Sequence, residues 1–178
     1  MALDFTQPHR RWNPLKRQWV QVSPHRLDRP WQGEEAEPEP PAPSYDERCY
    51  LCPGNARKGG AVNPDYTGVY VFDNDFPALK EGATGVTGDA LIRAEATTGV
   101  CRVVCFSPDH SKTMPLLAQA EIREVVDVWA AQSQELGEAH RSVQVFENKG
   151  AMMGCSNPHP HGQIWATGHT PNELATAD

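Results

Sequence analysis

The stretch CSNPHPHGQIW, Cys155 to Trp165, sets two histidines and a glutamine on alternate positions, directly after a run of small polar residues. An extended chain turns residues i, i+2 and i+4 to one face, so a strand here would point His159, His161 and Gln163 the same way. Neutral imidazole at pH 7 serves as nucleophile or metal ligand. Just upstream, KGAMMGCSN supplies Gly150 and Gly154, whose missing side chains let backbone N–H groups approach an anion, and the hydroxyl of Ser156. The combination predicts a phosphate cradle facing a nucleophile. The plainer alternative is a pair of histidines capping a strand and glycines making a turn. Two histidines and a glutamine on one face beside a Gly/Ser/Asn loop favour the functional reading.

A second set begins at Cys49-Tyr-Leu-Cys52. This CxxC spacing lets two thiolates bind one Zn²⁺ at about 2.3 Å, and two further ligands are then needed. Cys101 and Cys105 lie in the apolar run 100–106, four residues apart on one face of a strand, which points to burial. His110 in SPDHSKT and His159 are better placed, on polar segments near predicted strand ends. A redox reading of the CxxC wants a helix start, whereas Pro53-Gly54 follow it. Arg26 and Arg29 in SPHRLDRPWQG have the guanidinium fork that grips phosphates, although arginines without context are more often surface charges.

The elements that must position these groups can be read from periodicity. Trp19, Val20 and Val22 suit a short strand turning at Ser23-Pro24. Val69 to Phe72 reads as a strand stopping at Asp73-Asn-Asp75, and Val100 to Phe106 as a buried strand ending at Ser107-Pro108. From Leu117 to Gly137, Ile122, Val125, Val126, Trp129 and Leu136 recur at helical spacing with polar residues between. Val143 and Val145 mark a strand that stops at Asn148-Lys-Gly150, and His161 to Ala166 another. The proline- and glutamate-rich stretch 33–45 and the segment 82–89 read as loops. Several strands with one long helix predict an α+β domain with a mainly antiparallel sheet, residues 1–178 forming a single domain.

Length and charge bound the rest. With 178 residues and 39% hydrophobic content the chain can build a core, and its net charge of −7 argues against general binding to nucleic acid or anionic membranes. No segment approaches the roughly 20 apolar residues of a membrane span and no signal-peptide core precedes Trp12, so the expected location is the cytoplasm. Five cysteines are an odd number, which favours metal ligation or burial over a disulfide framework.

The segments RRWNPL, QWVQVSPHRLDRPWQG, CYLCPGN, NPDYTGVYVFDNDF, FSPDHSKT, VQVFENKGAMMGCSNPHPHGQIWA and PNE together resemble the N-terminal half of the galactose-1-phosphate uridylyltransferase family, of the histidine-triad superfamily. The resemblance implies a histidine-triad-like fold and a ping-pong reaction. UDP-glucose uridylylates the enzyme, glucose 1-phosphate leaves, and galactose 1-phosphate takes the uridylyl group to give UDP-galactose. It implies His161 as nucleophile and Gln163 as the hydrogen-bond donor to the phosphoryl oxygen. Cys49, Cys52, His110 and His159 match the ligands of a structural zinc. Arg26, Arg29, Asn74, Asp75, Asn148, Cys155 and Ser156 match contacts to the nucleotide sugar. Related histidine-triad hydrolases carry histidine where Gln163 stands, and a non-titrating amide is expected to preserve the covalent intermediate. Family members are about twice this length, so the resemblance implies a homodimer or pairing with a C-terminal half. Ala177 stands at the spacing expected for a glutamate of the family's iron site, and the second-half histidines of that site are absent from the sequence, so no iron site is expected in this chain. Competing readings are a histidine-triad nucleotide hydrolase or adenylyltransferase, and a zinc-stabilised module without turnover that pairs with a separate half.

Overall fold

A computed structural model describes residues 4–30, 41–86 and 88–177. By its contacts the chain divides into two compact units, residues 1–40 with 170–178, and residues 41–169. Residues 33–40 of the first expected loop, and Thr87 of the second, lie outside the described residues.

The first unit holds an antiparallel hairpin of β1 (His9–Asn13) and β2 (Gln18–Val22), in register from His9 opposite Val22 to Asn13 opposite Gln18. Asn13 closes the turn by accepting the N–H groups of Leu15 and Lys16, and Arg17 takes a positive φ of 51°. Trp12 and Trp19 face each other across the ladder with ring centroids 5.4 Å apart. A 3-10 turn follows at Pro24–Asp28, and the short helix α2 (Asn172–Ala177) completes the unit. The expected strand at Trp19 to Val22 is present. Its partner β1 was not expected, because Arg10-Arg-Trp shows no apolar alternation.

The second unit is built on a four-stranded antiparallel sheet in the order β3 (Tyr70–Asp73), β4 (Gly99–Cys105), β6 (His161–Thr167), β5 (Ser142–Phe146). Between β4 and β5 runs α1 (Gln119–Gly137). It starts two residues later than the periodicity suggests, because Met114–Leu116 form a 3-10 turn and Leu117 remains extended. Glu121 supports the start by accepting the N–H of Ala118 at 2.6 Å; Ala118 has no oxygen with which to return the bond.

Strand alternation gives the sheet two different faces. On one, Val104, Ile164 and Ala166 pack with Phe106 and with Leu117, Val125 and Leu136 from α1 and its approach. The fully buried Val104, Phe106, Val125 and Ile164 each contribute about 1.5–3 kcal/mol over exposure. Gly162 lies here because space is short: a Cβ would sit 2.8 Å from Phe106 Cζ and 2.9 Å from the Phe146 carbonyl oxygen. On the other face, Val103 and Cys105 pack with Cys49, Leu51 and Cys52 and with Tyr66, Tyr70 and Phe72. Cys101 and Cys105 are both buried, as their place on one face of an apolar strand predicts. The fold is α+β, antiparallel, with one long helix.

Candidate functional site

The loop carrying Cys49 and Cys52 is a tight turn, closed by the Cys52 N–H donating to the Cys49 carbonyl at 3.2 Å. Asn55 donates from Nδ2 to the carbonyls of Asp46 and Cys49, and Asn63 from Nδ2 to those of Tyr50 and Cys52. Two asparagines thus replace the secondary structure the turn lacks. His110 follows β4, with its backbone N–H on the Ser44 carbonyl, and His159 precedes β6.

These four residues are all buried, and one ligand atom from each lies within 4.8 Å of every other. Cys52 Sγ is 3.5 Å from Nδ1 of both His110 and His159, and the two Nδ1 atoms are 3.3 Å apart. The Ser107 carbonyl, 3.0 Å from His159 Nε2, can only accept, so that nitrogen carries the proton and the Nδ1 lone pair points into the cluster. Burial, then the neighbouring His110, pushes His159 down to about 4 and keeps the ring neutral. Burial also pushes the Cys52 thiol up to about 11. A dication at the point of convergence would reverse that, holding the thiolates. Asn157 spans the cluster, accepting the His159 N–H on Oδ1 at 2.9 Å and donating from Nδ2 to Cys49 Sγ at 3.5 Å. The Leu51 N–H gives Cys49 Sγ a second donor at 3.4 Å. The cluster can hold a metal ion.

His161 opens β6 directly beyond. Its Nδ1 lies 2.7 Å from the His159 carbonyl oxygen. A carbonyl only accepts, so Nδ1 bears the proton and Nε2 keeps a free lone pair. His159 therefore turns its ring to the cluster and its carbonyl to His161. The expectation that the two rings share a strand face fails, because β6 begins only at His161.

His161, Gln163 and Ser156 line two adjoining cavities. The larger, about 200 Å³, has an apolar wall of Tyr50, Leu51, Phe72, Phe76 and Val103, and polar groups from Lys58, Asn74 and Asp75. The smaller, about 50 Å³, adds Asn148, Gly154, Cys155 and Gly162. Arg57 holds Asp75 at 3.6 Å and lies over the Phe72 ring at 4.2 Å. Gln163 accepts the indole N–H of Trp165 at 3.1 Å.

Seven of the expected substrate-contacting or catalytic residues, Asn74, Asp75, Asn148, Cys155, Ser156, His161 and Gln163, thus line these cavities. Arg26 and Arg29 belong to the first unit, exposed at the 3-10 turn Pro24–Asp28 and its C-cap. The backbone cradle differs from expectation. Gly150 and Gly154 take φ of +86° and +79° to form a turn, and the N–H groups of Met153, Gly154 and Cys155 are engaged by the carbonyls of Gly150 and Ala151. The Cys155 thiol donates to the Asn157 carbonyl at 3.0 Å, while the Ser156 hydroxyl and the Asn148 and Gln163 amides are neutral donor groups lining the smaller cavity. Lys58, Arg57, Asn157 and Trp165 were missed. Asn157, two residues before His159, had the spacing of a side chain that caps its own backbone and was the legible one.

Comparison with known proteins identifies the family. A family model described as galactose-1-phosphate uridyl transferase, N-terminal domain, matches residues 2–171. The galactose-1-phosphate uridylyltransferase of Haemophilus influenzae is 58% identical over 174 residues, covering 96% of this chain and 50% of that protein. The protein of the same name from Rattus norvegicus is 52% identical over 168 residues, covering 92% of this chain and 44% of the relative. A solved uridylyltransferase structure superposes with a TM-score of 0.58 at 26% identity, over 93% of this chain and 47% of that one. An ADP-glucose phosphorylase from Arabidopsis thaliana, solved with bound ADP-glucose, gives a TM-score of 0.65 at 22% identity over 96% of this chain and 52% of that one, and shares the fold. The chain spans about half the length of the curated relatives it matches. On the family match and the identity to these relatives, the chain belongs to the galactose-1-phosphate uridyl transferase family, as its N-terminal domain.

Proposed function

We propose that this chain carries the uridylyl-accepting site of a galactose-1-phosphate uridylyltransferase. The observation that carries the reading is Nδ1 of His161, set 2.7 Å from the His159 carbonyl oxygen so that Nε2 is left for a ligand at a cavity the ring lines. The Nε2 lone pair attacks the α-phosphorus of UDP-glucose. An N–P bond forms, the P–O bond to the β-phosphate breaks, and glucose 1-phosphate leaves with that electron pair. The ring becomes cationic while it holds phosphorus, and the His159 carbonyl on Nδ1–H stabilises that charge. Charge growing on the phosphoryl oxygens is met by the Gln163 amide and the Ser156 hydroxyl. A phosphate oxygen of galactose 1-phosphate then attacks phosphorus, UDP-galactose leaves, and neutral His161 is restored. The apolar wall with Asn74 and Asp75 suits the base and ribose of a uridine nucleotide. Arg26 and Arg29 are proposed as further contacts to the nucleotide sugar, and a second copy or a C-terminal half as the partner.

The metal of the cluster is proposed to be structural zinc. Ligand bonds of about 2.3 Å to sulfur and 2.0–2.1 Å to nitrogen in a tetrahedron separate S from N by about 3.5 Å and N from N by about 3.3–3.4 Å. Separations of 3.5, 3.5 and 3.3 Å in the cluster support that choice. Cys49, Cys52, His110 and His159 would hold it, fixing the Cys49 loop to the start of β6.

The test is incubation with UDP-glucose followed by intact mass spectrometry. The expected result is one added uridylyl group, stable to alkali, labile to acid, absent in His161→Gly and still formed by whatever His159→Asn protein remains folded. An adduct on His159, or one persisting in His161→Gly, overturns the assignment. Release of free UMP without an adduct would favour the hydrolase reading.

A further inference from the structure

We infer that Trp165 is a positioning residue, whose indole N–H fixes the orientation of the Gln163 carboxamide so that its NH₂ faces the cavity. The inference rests on the reading of Gln163 as the donor to the phosphoryl oxygen, and supplies what that reading needs. A glutamine amide has an accepting end and a donating end of nearly equal shape, and only the donating end stabilises an anionic oxygen. Nothing in the glutamine itself chooses between them.

The neighbouring indole does. Trp165 Nε1 lies 3.1 Å from Gln163 Oε1, two residues along β6 on the same strand face. Indole nitrogen is a donor only, so the flipped amide would set N–H against N–H and lose the bond. The ring is itself held, edge-on to Phe146, with centroids 5.5 Å apart and planes at 81°. Phe146 stands opposite Gln163 in the β5–β6 register. Among the described residues, the amide nitrogen of Gln163 makes no hydrogen bond within the protein, and the residue lines both cavities. An oriented donor at the site where charge grows costs no reorganisation during reaction, whereas an amide free to flip must be ordered then.

Three variants test this. Trp165→Phe keeps an aromatic ring on Phe146 and deletes the N–H. It should slow uridylyl-adduct formation from UDP-glucose about fivefold, the equivalent of one net hydrogen bond, with metal content unchanged. On a Gln163→Met background the same change should add nothing, because residues acting through one another are non-additive. Gln163→Glu keeps an acceptor for the indole but removes the donor, so the Trp165 indole N–H resonance should stay downfield in the NMR spectrum while adduct formation is lost. In Gln163→Met that resonance should move upfield and exchange faster with solvent. The inference is overturned if the indole resonance is the same in Gln163→Met and wild type, or if the two substitutions slow the adduct multiplicatively. Should wild type form no adduct, the uridylyl reading fails on its own, and the indole resonance still decides the orienting bond.

Discussion

At the scale of single residues, the cluster couples stability to pH through His159. Its folded value of about 4 lies below the ordinary 6.5. Below pH 6.5 the unfolded chain therefore takes up a proton that the folded chain refuses. Stability is full above about 6.5 and falls as pH drops toward 4, by ~3 kcal/mol on the order of the shift. Protons also compete with a metal for the same lone pair, in the same direction. The thermal midpoint should be level from pH 8 to 7 and decline from 6.5 to 5; a midpoint indifferent to pH across that window would contradict the buried neutral ring. Asn157→Ala removes the bridge between Cys49 Sγ and the His159 N–H. It should cost ~1–3 kcal/mol and weaken metal binding about tenfold or more, measured by chelator competition. The four residues of the cluster were legible from CxxC and from histidines at strand ends. The bracing was not, because Asn157 and Cys49 are 108 positions apart and no local pattern joins them.

At the scale of elements, the two faces of the β3–β4–β6–β5 sheet divide the labour. Helix α1 fills one, and the cysteine loop and cavities occupy the other. Gly162→Ala is the sharpest probe of this division. Its methyl would press on Phe106 and on the Phe146 carbonyl, from the helix side, directly beside His161. We expect a loss of ~1–3 kcal/mol in denaturant unfolding. Adduct formation should slow as well, since β5 must shift beside Gln163. Full stability in this variant would mean that the sheet yields more easily than its packing suggests. Strands β4 and β6 and helix α1 were readable from periodicity because a buried face leaves a record in residue type. Strand β1 was not, since its residues are mostly exposed, and α2 is too short for a period to show.

At the scale of the whole molecule, the relatives are about twice as long, so their substrate contacts need not all lie in this stretch. Exchange of label between glucose 1-phosphate and UDP-glucose, which needs only the first half-reaction, should outrun overall transfer to galactose 1-phosphate by about tenfold or more in this chain alone, because a poorly positioned acceptor forfeits orientation. Overall turnover near ~10 per second would show that these residues suffice. Among the described residues, no helix is long and apolar enough to cross a membrane.

The cluster also has a kinetic consequence. Cys52 meets His110 across 58 positions and His159 across 107. Closing loops of that size costs about 4 kcal/mol each in chain entropy, so the cluster is expected to assemble after the sheet, late on the folding route. A bond formed after the transition state adds to the barrier for leaving the native state and leaves the barrier for reaching it unchanged. Loading the metal should then lengthen the lifetime of the folded chain many-fold in stopped-flow unfolding, with the refolding rate the same in chelator. Faster refolding with metal present would place the cluster in the folding nucleus instead.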